Sequence, residues 1–283
     1  MSKSTELHTE TIGGYSPVER MPGHWVLAKI GKRVLRPGGR YLTERMLEWL
    51  NIQGNDRVVE FAPGLGLTAR QTLKRAPASY IAIEKDENVV RHVRGFLERP
   101  EYECRHADAE STGLENEHAT IVYGEAMLTM QTDAHKRRII QEANRILREG
   151  GRYAVHEIAL TPPDIDPEAR KAVRLDLTKT IHHGVNPLTL QEWEQLFAEQ
   201  GFQVEKIITA PMALLEVKRV IRDEGLFRSL LILTRLILNA PVRARVLEMR
   251  NMFRKHQQHM LGFIMILKKV KQETAENRST VQE

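Results

Sequence analysis

Short apolar runs alternate with amphipathic segments along most of this chain. The apolar runs predict seven strands, at residues 57–61, 80–83, 102–106, 119–123, 152–159, 202–209 and 262–270. Between them, apolar side chains recur at helical spacing, and Thr189 with Glu192 forms a capping-box pattern at the start of one helix. Because strands that alternate with helices build parallel sheets covered on both faces, the pattern predicts a doubly wound α/β fold.

The two ends of the chain and one internal stretch depart from this alternation. Residues 1–40 are mostly polar, with Pro and Gly as breakers and one short helix predicted over 24–34. The stretch between the last two strands has helical spacing throughout. We therefore predict an N-terminal helical or lid segment 1–40, an α/β domain 41–270 with a helical insert 217–260, and a disordered tail 271–283.

Composition narrows the class of protein. Of 283 residues, 41% are hydrophobic and 28% are charged, which excludes general disorder. The single cysteine, Cys104, excludes a disulfide framework and a Cys-rich zinc site. The chain opens without the apolar core of a signal peptide, and no apolar run approaches the ~18–20 residues that a membrane span needs. We expect a cytoplasmic protein without a transmembrane segment.

The net charge of +5 is unevenly distributed along the chain. The insert 217–260 holds ten Lys and Arg against three acids, a formal charge of +7, so the rest of the chain carries −2. Within the insert, residues 226–238 are strongly apolar and are interrupted by Arg228 and Arg235. Three roles stay open for the insert: a lid over an apolar substrate pocket, a homodimer surface, and a contact with a membrane surface.

Acidic residues stand at the ends of the first three predicted strands, and a glycine-rich turn follows the first. Gly64 and Gly66 let the backbone of that turn approach a ligand closely. Glu60 can accept hydrogen bonds from loop amides or an ammonium group, Glu84 suits a ribose diol, and Asp108 can accept from an adenine amino group. All three lie at the carboxyl edge of the predicted sheet, where doubly wound folds bind ligands.

Five motifs resemble those of class I S-adenosylmethionine-dependent methyltransferases, closest to the small-molecule group of ubiquinone and menaquinone biosynthesis. They lie at residues 58–66, 83–86, 106–109, 121–130 and 147–152. The resemblance covers roughly residues 41–212 and 262–270, and it departs from the family at Ala62, which replaces the first loop glycine. It implies a Rossmann-like, seven-stranded, mostly parallel sheet with an antiparallel last strand, N-terminal helices and a helical insert before that strand.

The resemblance also implies a set of residues that bind S-adenosyl-L-methionine. These are Glu60, Ala62, Gly64, Gly66, Glu84, Lys85, Asp108, Ala109, Glu125 and Tyr15. In such enzymes the glycine loop lies along the methionine part of the cofactor, and the acids after the second and third strands bind the ribose and the adenine. Glu125 would face the methyl donor and the substrate, while Tyr15, His24 and Trp25 would close over the cofactor.

Histidines are the candidate catalytic residues, because a base is needed where the methyl acceptor arrives protonated. His156 ends the fifth strand, and His182 and His183 lie in a proline-containing stretch, 160–187, that we expect to form a loop over the substrate pocket. A structural or surface role stays open for each of them. We predict no metal site. For the basic residues around the Pro-Gly-Gly turn we expect a solvated face, and binding of a substrate carboxylate or phosphate stays open as the alternative; they are Lys32, Arg33, Arg36 and Arg40.

The function predicted is transfer of a methyl group from S-adenosylmethionine to a small apolar or aromatic molecule. A nucleic-acid methyltransferase acting on RNA is the first alternative, suggested by a pI near 9.3. The Pro-Pro motif expected after the fourth strand of amino-methylating DNA enzymes is absent there, which argues against a nucleic-acid partner. A non-catalytic protein that binds the cofactor and a partner is the second alternative.

Overall fold

Eight strands form one sheet within residues 17–270, the part of the chain that the structure, a computed structural model, describes. They are β1 Arg57–Phe61, β2 Ser79–Glu84, β3 Tyr102–His106, β4 Ala119–Glu125, β5 Leu147–Leu160, β6 Leu188–Thr189, β7 Phe202–Pro211 and β8 Met260–Lys269. The order is β3-β2-β1-β4-β5-β8-β7, and β6 pairs with β5 beside this path. Only β8 runs antiparallel to its neighbours, β5 and β7. The predicted Rossmann-like sheet is confirmed, with β6 as an addition.

Ten α-helices connect or cover these strands in the described residues. They are α1 Gly23–Lys29, α2 Gly39–Leu50, α3 Leu67–Leu73, α4 Glu87–Arg94, α5 Asp133–Ile146, α6 Pro167–Ile181, α7 Leu190–Glu199, α8 Val217–Glu224, α9 Leu226–Leu238 and α10 Ala240–Lys255. The capping box at the start of α7 is confirmed. In residues 17–270, none of the helices combines the length and the apolar character that crossing a membrane requires.

The stretch 160–187 contains a long helix, which corrects the expectation of a loop. α6 begins at Pro167, and the Asp166 side chain caps it by accepting a hydrogen bond from the backbone N–H of Ala169. A proline is compatible with a helix at its first position, where no intrahelical partner exists for the missing N–H. Pro162 and Pro163 therefore precede α6, Pro167 opens it and Pro187 follows it. The helix ends at His182, whose backbone lies in the left-handed region with φ 53°.

The two faces of the sheet and its carboxyl edge each carry an apolar cluster. α5 and α7 cover one face, with Trp193 and Phe197 fully buried, and α2 and α4 cover the other. A third cluster joins α1, α6 and α10 above the carboxyl ends of the strands. The insert therefore packs at the edge where the predicted site lies. The division at residues 40 and 270 stays a prediction, and Tyr15 and the tail 271–283 lie outside the described residues.

The loop between β1 and α3 keeps its turn despite the alanine that replaces the first glycine. Ala62 itself adopts a left-handed conformation, with φ 52°, and its N–H donates to the carbonyl of Ile83 at 2.9 Å. Gly66 also has a positive φ, and a Cβ at this position would overlap the ring of Phe96. Ala62 thus tolerates the strain of its position, whereas Gly66 is required by packing.

The Pro-Gly-Gly loop of the N-terminal segment packs closely against β8. A Cβ placed on Gly262 of β8 would lie 2.7 Å from the backbone of Pro37 and of Gly38. Since a Cβ essentially never comes so close to backbone atoms, only glycine fits at this position of the strand. The Pro-Gly-Gly loop therefore crosses the sheet directly on β8.

Buried charges fasten α8 of the insert to the same N-terminal loop. Glu224 accepts hydrogen bonds from the backbone N–H groups of Arg33 at 2.7 Å and Val34 at 2.9 Å. Its carboxylate lies 3.8 Å from the ammonium of Lys32, whose side chain is 1% exposed. Burial lowers the pKa of Lys32, and the charge of Glu224 opposes that shift. The expectation of a solvated face is wrong for Lys32, because a partner from the insert covers it.

This cluster generates a prediction about stability. Glu224→Ala should lower the free energy of unfolding by about 3–5 kcal/mol, because the buried ammonium of Lys32 loses one of its two nearby carboxylates, Asp223 being the other, and the N–H groups of Arg33 and Val34 lose their acceptor. In a Lys32→Met background the same change should cost less by about 1–2 kcal/mol, since the charge that it uncovers is gone. Urea denaturation followed by circular dichroism measures both values.

The control is Glu44→Ala. Glu44 pairs with Arg40 on the exposed surface of α2, so its loss should change the free energy of unfolding by less than about 1 kcal/mol. Strict additivity of Glu224→Ala and Lys32→Met would contradict the proposed coupling between the two charges.

Candidate active site

A cavity of about 550 Å³ lies at the carboxyl edge of the sheet. Eight of the ten residues predicted to bind the cofactor line it: Glu60, Ala62, Gly64, Glu84, Lys85, Asp108, Ala109 and Glu125. Gly66 is not in the lining, because it packs on Phe96 instead, and Tyr15 is outside the described residues. The loops after β1, β2, β3 and β4 thus meet at one ligand-sized cavity.

Glu84, at the end of β2, presents a half-satisfied carboxylate. Its Oε1 accepts backbone hydrogen bonds from Lys85 at 2.9 Å and Asp86 at 3.0 Å. Burial raises the pKa of this carboxyl, and those two N–H donors oppose the shift. Oε2 makes no hydrogen bond with the residues described, and the side chain lines the cavity. The geometry leaves one fixed acceptor oxygen for hydroxyl groups of a ligand.

Glu60, on β1, is buried beneath the glycine loop. The hydroxyls of Tyr80 and Tyr123 both donate to its Oε2, the latter at 2.6 Å. Burial raises the pKa of Glu60 to about 7, against the effect of the two tyrosine hydrogen bonds. Its Oε1 makes no hydrogen bond within the described residues. Near neutral pH this group therefore exchanges between its acid and its carboxylate, and a cationic ligand would favour the carboxylate.

The residues around the glycine loop fit the cofactor that the family resemblance implies. A Cβ at Gly64 would meet nothing within 4 Å, so open space lies beside the loop just before α3. Asp108 lines the cavity with an exposed carboxylate, whose Oδ1 accepts from the backbone N–H of Glu110 at 2.9 Å. Acceptors at three strand ends, together with open space at the turn, suit a nucleoside joined to a cationic amino-acid chain.

Glu125, at the end of β4, is fully engaged by the protein itself. Its Oε1 accepts from Thr43 at 2.7 Å and faces Nδ1 of His156 at 2.9 Å. Its Oε2 accepts from Arg36 and Thr68. Burial alone would raise the pKa of Glu125, but the charge of Arg36 and the bond to His156 outweigh it and lower the pKa to about 2. Glu125 is therefore ionised. The expectation of a solvated face is wrong for Arg36, because its guanidinium binds this buried carboxylate.

The structure brings one of the three predicted catalytic histidines to the cavity. His156 is fully buried, with Nδ1 at Glu125 and Nε2 at the carbonyl of Pro37, so neither ring nitrogen faces a ligand. His182 is exposed at the end of α6 and is not in the lining. His183 does line the cavity. The sequence could not show which of the adjacent His182 and His183 lines the cavity, because the helix α6 that places them was not predicted.

Two aromatic residues of α1 belong to the lining of the cavity, and their closing over the cofactor stays a prediction. His24 and Trp25 both line it, with ring centroids 4.9 Å apart. Burial, followed by the charge of His183, lowers the pKa of His24 to about 4. His24 is therefore uncharged at neutral pH, and its ring can accept a hydrogen bond.

Glu157 is a cavity residue that the sequence analysis missed. It is fully buried on β5 and accepts backbone hydrogen bonds from Met127 at 2.8 Å and Leu128 at 2.7 Å, and a hydroxyl bond from Thr129 at 2.7 Å. Burial raises its pKa, and these donors oppose the rise. Glu157 therefore holds the loop after β4 in place. In the sequence, only its position next to His156 pointed to a role for Glu157 at the site.

Part of the cavity lining is apolar and belongs to the third cluster. This part comes from α6, from the segment after β7 and from α10, through Leu177, Met212, Leu214, Met249 and Phe253. None of these residues was predicted at the site, since α6 read as a loop and the faces of the insert helices were not assigned. In the described residues, no group of three or more His, Cys, Asp or Glu side chains is arranged to hold a metal ion.

Comparisons with known proteins agree with this site. Residues 58–151 match the family described as "Methyltransferase domain". Over 250 residues, 86% of this chain, the sequence is 30% identical to an uncharacterized protein of Haemophilus influenzae, of which it covers 96%. It is also 30% identical over 106 residues, 37% of this chain, to ribosomal RNA small subunit methyltransferase A of Synechococcus sp. strain CC9311, of which it covers 34%.

Among solved structures, the fold is similar to that of phosphoethanolamine N-methyltransferase 2 of Haemonchus contortus in complex with S-adenosyl-L-methionine. The TM-score is 0.66 at 13% identity, and the match covers 88% of this chain and 57% of that one. The match to the methyltransferase family, the order of the strands in the sheet and the acids at its carboxyl edge support the same assignment. The chain belongs to the class I S-adenosylmethionine-dependent methyltransferases.

Proposed function

We propose that this enzyme methylates a small apolar or aromatic molecule. The observation that carries the proposal is the mixed lining of the cavity: it contains the acceptor groups of Glu60, Glu84 and Asp108, and also apolar side chains of the third cluster such as Met249 and Phe253. A single cavity of about 550 Å³ is in the range of small-molecule sites. It therefore suits a polar cofactor beside an apolar acceptor.

Within this proposal, each polar group of the chain has a distinct role. Glu84 would hold the ribose hydroxyls through its unused Oε2, Asp108 the adenine amino group, and Glu60 the cationic methionine end. Lys85 and Ala109 would flank the adenine. When bound, S-adenosylmethionine supplies a methyl group on a sulfonium sulfur, so the protein has to align the acceptor and exclude water.

Where the methyl acceptor carries a proton on the atom that is methylated, a base has to lie beside it in the cavity. We assign the role of base to His183, because it lines the cavity, and the role of hydrogen-bond acceptor to His24, whose pKa of about 4 makes it a weak base that is uncharged at neutral pH. His156 would instead orient Glu125 and the Pro37 loop, since both of its ring nitrogens are engaged there. Glu125 would act as a positioning residue rather than as a ligand of the cofactor.

Methylation of RNA is the second candidate, favoured by the partial match to a ribosomal RNA methyltransferase. Several cations of the insert, however, bind elsewhere in this chain. Arg254 pairs with Glu216, Lys255 with Asp176, and Arg245 with Glu248 and the carbonyl of Thr180. These three side chains have internal partners, so a phosphate-binding track for RNA would have to use the remaining exposed cations of the insert.

The first prediction here concerns the ribose contact. Glu84→Gln should weaken binding of S-adenosylmethionine by about tenfold to a hundredfold, because a charged acceptor of two hydroxyl bonds is replaced by an amide. Isothermal titration calorimetry measures the change. Glu103→Gln, on the exposed side of the neighbouring strand β3, is the matched control and should leave the affinity unchanged. Wild-type affinity in Glu84→Gln would exclude the ribose assignment.

A second prediction follows from the raised pKa of Glu60. Only its carboxylate attracts a cation, so the affinity for S-adenosylmethionine should rise by about tenfold between about pH 6 and about pH 8 as the group with pKa about 7 loses its proton. Proton release on binding, measured by calorimetry in two buffers of different ionisation enthalpy, should accompany it.

Glu60→Gln provides the control for this pH effect. The amide keeps a hydrogen-bond acceptor for the two tyrosines but cannot ionise, so the part of the pH dependence that belongs to Glu60 should disappear. If Glu60→Gln shows the same rise in affinity as the wild type, the titration belongs to another group.

The acceptor class is tested with methyl-labelled S-adenosylmethionine and a cell extract. We expect label in the fraction extracted by organic solvent and a loss of about tenfold in Met249→Gln, which places an amide in the apolar wall. Leu247→Gln, on the exposed side of the same helix, should label like the wild type. Label recovered in RNA instead would favour the second candidate, and unchanged cofactor affinity in Met249→Gln would show that its effect is on the acceptor.

A further inference from the structure

α9 exposes an unusually large amount of apolar side chain. Seven of its side chains are between 43% and 79% exposed, namely Leu226, Phe227, Leu230, Leu231, Leu233, Ile237 and Leu238. In contrast, Ile232 is its one buried residue. Single exposed apolar side chains are ordinary, but a row of seven on one helix marks an interaction surface.

These side chains form one face of the helix. Leu226, Leu230, Leu233 and Ile237 recur every three or four residues, so they lie on the same stripe, and the other three flank it. The opposite side carries the buried Ile232, which belongs to the apolar cluster of α1, α6 and α10. α9 therefore packs on the protein with one side and presents an apolar stripe with the other.

The charges around this stripe are positive. α9 contains no acidic residue, and the insert as a whole has three acids against ten Lys and Arg. Two of these acids, Asp223 and Glu224, are buried against the N-terminal loop, and the third, Glu248, pairs with Arg245. Exposed cations remain on all three insert helices at Lys218, Arg222, Arg228, Arg235 and Arg243. The electrostatic potential at the exposed surface of the insert is therefore positive.

This charge decides between the two partners that suit an apolar stripe. A second copy of the chain, docked through a two-fold axis, would bring the same patch against itself and set like charges side by side. An anionic lipid surface is complementary to both features, because it takes apolar side chains at the acyl boundary and pairs cations with phosphate. With 13 residues, α9 is about 20 Å long, too short to span the hydrocarbon layer.

We propose that α9 is a membrane-surface anchor, which lies in the plane of an anionic leaflet with its apolar stripe inserted and the neighbouring cations at the headgroups. The anchor does not depend on the methyl acceptor, because it uses side chains on the outer face of the insert. It assigns to the insert one of the three roles that the sequence leaves open.

Co-sedimentation with vesicles tests the proposal. The full chain should pellet with vesicles of phosphatidylcholine that contain roughly one quarter phosphatidylglycerol, and should stay largely in the supernatant with phosphatidylcholine alone. Phe227→Ser/Leu230→Ser should lower the partition coefficient by about tenfold or more, since two inserted side chains are lost. Arg222→Glu should weaken binding at low salt and reduce its salt dependence.

The matched control is Leu175→Ser on α6. Leu175 is 59% exposed and lies outside the insert, so its replacement should leave vesicle binding unchanged. Unaltered thermal unfolding and cofactor affinity of Phe227→Ser/Leu230→Ser show that its effect is local, and Leu238→Ser, at a position 79% exposed, replaces it if the double variant is unfolded.

Three results would overturn the proposal. One is absence of wild-type binding to the anionic vesicles. The second is binding by Phe227→Ser/Leu230→Ser that equals that of the wild type. The third is a stable wild-type dimer in sedimentation equilibrium that persists in the presence of the anionic vesicles and that does not form in Phe227→Ser/Leu230→Ser. This result would assign the stripe to a second copy of the chain.

Discussion

The ionised carboxylate of Glu125 is the constraint on which the rest of the site depends. Its four donors come from four different segments, through Arg36 of the N-terminal loop, Thr43 of α2, Thr68 of α3 and His156 of β5. A buried charge is tolerated only while such donors stay in place, so these segments are held as a unit. The insert joins the same unit, because α8 binds the same loop through its acids.

Two glutamates of the site show how burial and partners set opposite properties for one residue type. The charge of Arg36 outweighs burial and lowers the pKa of Glu125 to about 2, whereas burial raises that of Glu60 to about 7, because two neutral tyrosine hydroxyls oppose the rise only in part. The first is a permanent structural charge. Glu60 keeps one oxygen without a hydrogen-bond partner among residues 17–270, and a cationic ligand would favour its charged form. The chain thus separates the group that holds the site together from the group that senses what is bound.

Much of this could be predicted from the sequence, and the limits have a physical reason. The strand ends located Glu60, Glu84 and Asp108, because the carboxyl ends of parallel strands meet at one edge of a sheet. The burial of Arg36 was not predictable, since its partner Glu125 is 89 positions away and local composition around a Pro-Gly-Gly turn resembles a solvated face. The start of α6 was missed because a proline marks both the breaking and the beginning of a helix.

The glycine of β8 that lies against the Pro37 loop has a consequence for the order in which the molecule is built. The residues of that loop leave the ribosome early, but their seat, Gly262, is made more than two hundred residues later. β7 likewise bonds to the sheet only through β8. The nascent chain therefore carries an undocked N-terminal segment and an incomplete sheet until β8 emerges and closes both together, so closure of the domain has to wait for β8.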